Sequence, residues 1–140
     1  MSIQEAEDKI IGEFSFFEDW MDKYNYIIEL GKSLPLIDPQ YKTANHLITG
    51  CQSNVWLHAE YQNGRIYYSA DSDAIITKGI INLLIRVLSD HTPDEIINAK
   101  LDYIDTIGLK NHLSPTRSNG LVSMIKQMKL YAVAFKNKHE

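Results

Sequence analysis

The only cysteine among 140 residues, Cys51, stands in HLITGCQSNVWL (residues 46 to 57), with Gly50 before it and Gln52 and Ser53 after it. A thiol in that setting can serve as nucleophile, as metal ligand or as a small buried apolar side chain. A structural zinc site needs about four ligands with paired spacing. His46, His58, His91, His112 and His139 show no such pairing with one another or with a single thiol, although Cys51, His46, His58 and Asp73 are a conceivable set. Nucleophilic hydrolysis needs a base beside the sulfur. His58 is seven residues on, up to about 23 Å away along an extended chain, and His46 lacks a recognisable third member. Gly50 leaves room for an approaching group, and Gln52 and Ser53 are polar. Residue types and spacing leave Cys51 open between filler and nucleophile.

The elements around it are more sharply written. Val55, Leu57 and Ala59 alternate with Trp56, His58 and Glu60, and Ile66, Tyr68 and Ala70 alternate again after Asn63-Gly64, which predicts an antiparallel hairpin immediately following the thiol. Ser15 with Glu18 reads as a capping box for a helix carrying Trp20, Tyr24, Ile27 and Ile28 and stopping at Gly31. Pro35 and Pro39 make SLPLIDPQ a connector. Asp71, Ser72 or Asp73 caps a helix whose isoleucines and leucines cover most of its circumference, the expected central helix. Thr92-Pro93-Asp94-Glu95 starts a short helix leading into NAKLDYI, an expected third strand. Ser114-Pro115 opens a C-terminal helix with Leu121, Ile125, Met128, Ala132 and Phe135 on its core face. The order is that of an α+β fold.

The length suits one domain, residues 1–140, able to bury a core without disulfides. A lone cysteine, no basic-then-apolar start and no run of eighteen apolar residues give the expectation of a cytoplasmic protein. The formal charge is -4, and the basic residues are spread along the chain, which argues against nucleic acid as a partner.

Four strings in order, YIIELGKSLP, GCQSNVWL, DSDAIITKGI and HLSPTRSNGL, resemble the SufE family of sulfur acceptors in iron-sulfur cluster assembly, which includes CsdE. The resemblance runs from about Ile10 to the last helix. It implies a three-stranded antiparallel sheet flanked by helices, shared with IscU-type scaffolds, and a chain that takes sulfur from a SufS- or CsdA-type cysteine desulfurase. In that scheme Cys51 becomes a persulfide, pyridoxal phosphate resides on the desulfurase, and the chain itself needs no cofactor or metal. The sulfur passes on to a scaffold such as SufBCD. The resemblance also implies that Gly50, Gln52 and Ser53 shape the thiol loop, with Asp73 nearby and Arg117 close to the thiol or at the partner interface. Two other readings compete: a metal or cluster scaffold of IscU type, which uses three cysteines where this chain has one, and a desulfurase regulator that accepts no sulfur. Whether the chain is a monomer or a homodimer is open.

Overall fold

A computed structural model describes residues 1–139. Helix α1, Ile3–Phe14, begins at a capping box in which the Ser2 hydroxyl accepts from the Glu5 amide and the Glu5 carboxylate accepts from the Ser2 amide. It buries Ala6, Ile10 and Phe14, one every fourth residue. Helix α2, Trp20–Gly31, starts at Asp19, whose carboxylate accepts from the Asp22 amide. The predicted Ser15–Glu18 capping box is therefore not formed. Ser15 ends α1 instead, its hydroxyl donating to the Gly12 carbonyl, while the acidic cap at Asp19 complements the positive end of α2.

After a proline-containing connector and two 3-10 turns, Pro39–Tyr41 and Ala44–His46, come strands β1, Val55–Gln62, and β2, Arg65–Ser72. They pair antiparallel with Val55 opposite Ser72 and Gln62 opposite Arg65. Asn63 and Gly64 carry positive φ of 53° and 81°, as a two-residue turn matched to strand twist requires. Val55, Leu57, Ala59, Ile66, Tyr68 and Ala70 face the core, as the alternation predicts.

Helix α3, Ile75–Leu88, lies in the middle with eleven of its fourteen residues buried. None of Asp71, Ser72 and Asp73 caps it: its N-cap is Ala74, without a side-chain bond. Asp71 instead pairs with Lys42 and Lys78, and the Ser72 hydroxyl accepts from the Ala74 amide. Helix α4, Pro93–Asn98, has the predicted capping box of Thr92 and Glu95. Two one-turn helices follow, α5, Tyr103–Thr106, and α6, Leu109–His112, and then the long α7, Pro115–His139.

The segment expected as a third strand does not extend. Leu101 sits in the left-handed region with φ 59°, which turns the chain, and the Tyr103 amide donates to Glu7 rather than to a sheet. The sheet has two strands among the described residues, and isolated bridges from Leu36, Leu47 and His91 add to its edges.

Helices α1 and α3 are tied by Arg86, which donates two hydrogen bonds to the Glu13 carboxylate at 2.8 and 2.6 Å, while the Tyr26 hydroxyl also donates to Glu13. The Arg86 guanidinium holds the Glu13 carboxyl below the ordinary glutamate range. A depressed folded-state pKa contributes stability that is fully present above the unfolded value and is lost as pH falls through the folded one. The urea midpoint should therefore drop as pH falls below 4.5. Glu13→Gln should lower the midpoint at pH 6 and flatten that acid limb; an identical acid limb in the variant would contradict the assignment.

Candidate functional site: the thiol loop and its cavity

The loop from Thr49 to Asn54 is held at both ends by backbone. The Ile48 amide donates to the Val55 carbonyl at 2.8 Å, closing the loop's base. At its far side the Asn54 amide donates to the Asp73 carboxylate at 3.2 Å, and the Asp73 amide donates to the Asn54 carbonyl at 3.3 Å. Asp73, read from the sequence as a cap or a loop neighbour, thus clamps the thiol loop to the start of α3. Gly50 has φ +97°, and a Cβ there would lie 2.5 Å from the Ser123 hydroxyl on α7. Both the backbone angle and the close helix favour glycine at this position.

Cys51 is half-buried. Its sulfur lies 3.7 Å from the Gly120 carbonyl, a weak bond in which the protonated thiol is the donor. Burial pushes the thiol pKa up from its ordinary value. Alkylation of Cys51 by iodoacetamide at pH 7 should accordingly run slower than that of free cysteine, with a rate still climbing at pH 9; a rate levelling off near neutrality would show a stabilised thiolate.

Beside the sulfur is a cavity of about 90 Å³ lined by Cys51, Gln52, Ser53, Thr77, Thr116, Arg117 and Gly120, with Ile80 and Met124 as its larger apolar members. Ligand pockets for metabolites run to about 300–1,000 Å³, whereas a water occupies about 30 Å³ in the liquid. The cavity has room for a sulfur atom with its solvent, not for a metabolite. Arg117 is the cation among its lining residues. Its guanidinium donates to the Tyr24 hydroxyl at 3.3 Å and lies 6.0 Å from that ring. The Ser114 hydroxyl accepts from the Arg117 amide and holds the first turn of α7.

The structure therefore brings Cys51, Gln52, Ser53 and Arg117 to one cavity, with Gly50 and Asp73 shaping the loop. It does not bring in the histidines. The His46 and His58 rings are tilted by 53° to each other with Nε2 of His46 and Nδ1 of His58 3.3 Å apart, and Tyr41 stacks on His58 at 3.7 Å. Neither imidazole is hydrogen-bonded to the thiol, as a hydrolase base would be. Among the described residues no three His, Cys, Asp or Glu side chains converge on a metal position. Tyr24, Thr77 and Gly120 escape a sequence reading of the site. The signal for Gly120 is a glycine inside a helical stretch, which marks a close approach, here that of Cys51 with Sγ 3.5 Å from a Cβ built at that position.

Known proteins bear on this geometry in two ways. A protein from Thermus thermophilus whose structure was solved in solution, described as hypothetical, superposes with a TM-score of 0.76 over 92% of this chain and 94% of its own, at 16% identity. That similarity concerns the fold. In sequence, an uncharacterized SufE-like protein of Rhizobium meliloti is 39% identical over 127 residues, which cover 87% of this chain and 91% of that protein. A SufE-like protein of Synechocystis is 35% identical, covering 91% and 80%. SufE-like protein 1 of Arabidopsis thaliana, chloroplastic/mitochondrial, is 36% identical over 94% of this chain, which spans 36% of that longer protein. Residues 8–132 match SufE, the Fe-S metabolism associated domain, and the chain accordingly belongs to the SufE family, whose association is with iron-sulfur metabolism.

Proposed function

We propose that this chain accepts sulfur on Cys51 from the persulfide of a SufS- or CsdA-type cysteine desulfurase and delivers it for iron-sulfur cluster assembly. The observation that carries the reading is the placement of the single cysteine at a clamped loop, beside a cavity large enough for one sulfur and too small for a metabolite. The Cys51 thiolate attacks the terminal sulfur of the donor persulfide. The donor's S–S bond breaks as the bond at Cys51 forms, and the donor's cysteine leaves as a thiolate that takes up the proton Cys51 has given. One sulfur changes carrier with no net oxidation.

The resting site favours the protonated thiol, through burial and the Gly120 carbonyl. That arrangement protects the sulfur between transfers. Thiolate formation then belongs to the complex, where docking displaces the loop from Gly120 and brings a cation to it. Arg117 is our candidate for that task, since it lines the cavity and is held by one 3.3 Å hydrogen bond and a ring contact to Tyr24, with no carboxylate partner among the described residues. Arg117→Ala should reduce desulfurase stimulation about tenfold and Arg117→Lys should restore part of it. Unchanged stimulation in the alanine variant would remove Arg117 from the account.

The reading as a whole is tested by alanine formation from cysteine by a purified SufS-type desulfurase. Adding this chain should raise the turnover severalfold, and a flat response would count against a sulfur acceptor. Pyridoxal phosphate belongs to the desulfurase in this scheme, and this chain contributes only its thiol and the surface around it. Among the described residues no helix is long and apolar enough to cross a membrane.

A further inference from the structure

The acidic residues are unevenly placed. Seventeen of the eighteen lie at or before Asp105, and none falls between Asp105 and Glu140, a stretch that carries Lys110, Arg117, Lys126, Lys129, Lys136 and Lys138. That stretch includes all of α7, which is therefore basic on a molecule that is otherwise strongly acidic. Its inner face, with Leu121, Met124, Met128 and Ala132, is buried in the core. The opposite face is apolar too. Val122, Leu130 and Val133 are 54%, 49% and 39% exposed and fall with Lys126 within one narrow strip, at helical offsets of four, eight and eleven from Val122. Lys126 has no ion-pair or hydrogen-bond partner among the described residues.

Single exposed apolar side chains are ordinary, but an aligned row interrupted by an unpaired lysine has the make-up of an interface core with a charged neighbour. The strip runs about 16 Å from Val122 to Val133. It begins against the thiol loop, since Ser123 lies under Gly50 and Gly120 under Cys51. A partner that brings its own sulfur onto Cys51 must rest on the first turns of α7. The few residues that line the cavity cannot hold it alone, because stable interfaces bury about 800 Å² on each side.

We infer that the outer face of α7 is a docking strip for the sulfur donor, engaging a segment of the desulfurase that presents apolar side chains flanked by Asp or Glu. The inference rests on the proposed sulfur-acceptor reading and adds where the donor sits and what its surface must carry. A second copy of this chain has some of the same chemistry, since Phe16, 86% exposed, and Met21, 66% exposed, lie near Glu18, Asp19 and Asp22. A copy seated on α7 would crowd the thiol that the carrier must present, so the strip is assigned to the donor.

The test measures the affinity of a purified SufS-type desulfurase for the full chain and for Lys126→Glu, Leu130→Asp and their combination, with Lys9→Glu on α1 as the charge-matched control. The double variant should weaken binding by about tenfold or more. Lys9→Glu should not, and wild-type binding should weaken with salt more steeply than that of Lys126→Glu. Leu130→Ala and Lys126→Gln, which should keep the wild-type melting temperature, separate docking from folding. Affinities within twofold of wild type in all variants would overturn the strip while leaving sulfur acceptance intact. So would wild-type self-association that Lys126→Glu abolishes with desulfurase affinity unchanged, since the strip would then belong to a second copy. Failure of the wild-type chain itself to bind the desulfurase or to acquire sulfur would overturn the acceptor reading first, and the strip with it.

Discussion

Cys51→Ser is expected to bring desulfurase turnover back to the rate of the desulfurase alone, with no partial activity left. The reason is chemical and numerical together. Sulfur exchange requires a thiolate, and a serine hydroxyl neither ionises near neutrality nor forms a stable bond to sulfur under these conditions. No second cysteine exists in the chain to take over. The fold should tolerate the change within roughly 1 kcal/mol, because Cys51 is half-buried, its polar contact is one carbonyl, and the two side chains are close in size. Loss of turnover with an unchanged melting temperature therefore isolates the chemistry. A serine variant that still stimulates fully would mean that this chain regulates the desulfurase without carrying sulfur.

Gly79→Ala is expected to be the most damaging single methyl group in the molecule among the glycines. A Cβ there would lie 1.9 Å from the Ile27 carbonyl oxygen and 2.6 Å from Ile27 Cγ2, so helices α2 and α3 must move apart. Gly31 lies at the same crossing, its own Cβ position 3.0 Å from the Gly79 amide nitrogen. Overpacking of this kind costs about 3 kcal/mol or more when backbone blocks the site, against a gain of about 1 kcal/mol in helix propensity. The expected fall in melting temperature is on the order of 10 °C. Gly12→Ala makes the matched control. It lies on the exposed side of α1 with nothing within 4 Å of its Cβ position, so the same substitution should stabilise by about 0.5–1 kcal/mol. The consequence reaches the site, because Gly79 lies between Thr77 and Ile80 of the cavity lining while α2 carries Tyr24. Equal melting temperatures for the two variants would contradict the close crossing.

How much of this was written in the sequence varies with the range of the interaction involved. The hairpin was legible because Asn63-Gly64 and a period of two act locally, and α3 because its apolar residues outnumber any other use for them. Helix α1 shows the same spacing in Ala6, Ile10 and Phe14, but Ser15 and Glu18 imitate a start signal just where that helix ends. The supposed third strand failed at Leu101, whose left-handed backbone no local rule predicts for leucine. In the site, the contact between Arg117 and Tyr24 spans 93 residues and that between Cys51 and Gly120 spans 69, so neither can be read from spacing. The even spread of lysine and arginine hid the charge asymmetry, because it is the acidic residues that are segregated. No Lys or Arg adjoins Cys51 in sequence, the nearest being Lys42 and Arg65. Arg117 lines the cavity, yet it is engaged with Tyr24 rather than with the sulfur.

The most direct test of sulfur acceptance is the intact mass of the chain after incubation with a SufS-type desulfurase, pyridoxal phosphate and cysteine, followed by removal of the desulfurase without reductant. The account predicts a species about 32 Da heavier, one sulfur atom, located at Cys51, returned to the starting mass by dithiothreitol and absent from Cys51→Ser. An unmodified Cys51 in the presence of a desulfurase that is turning over, or an added sulfur found with equal yield in the serine variant, would contradict it.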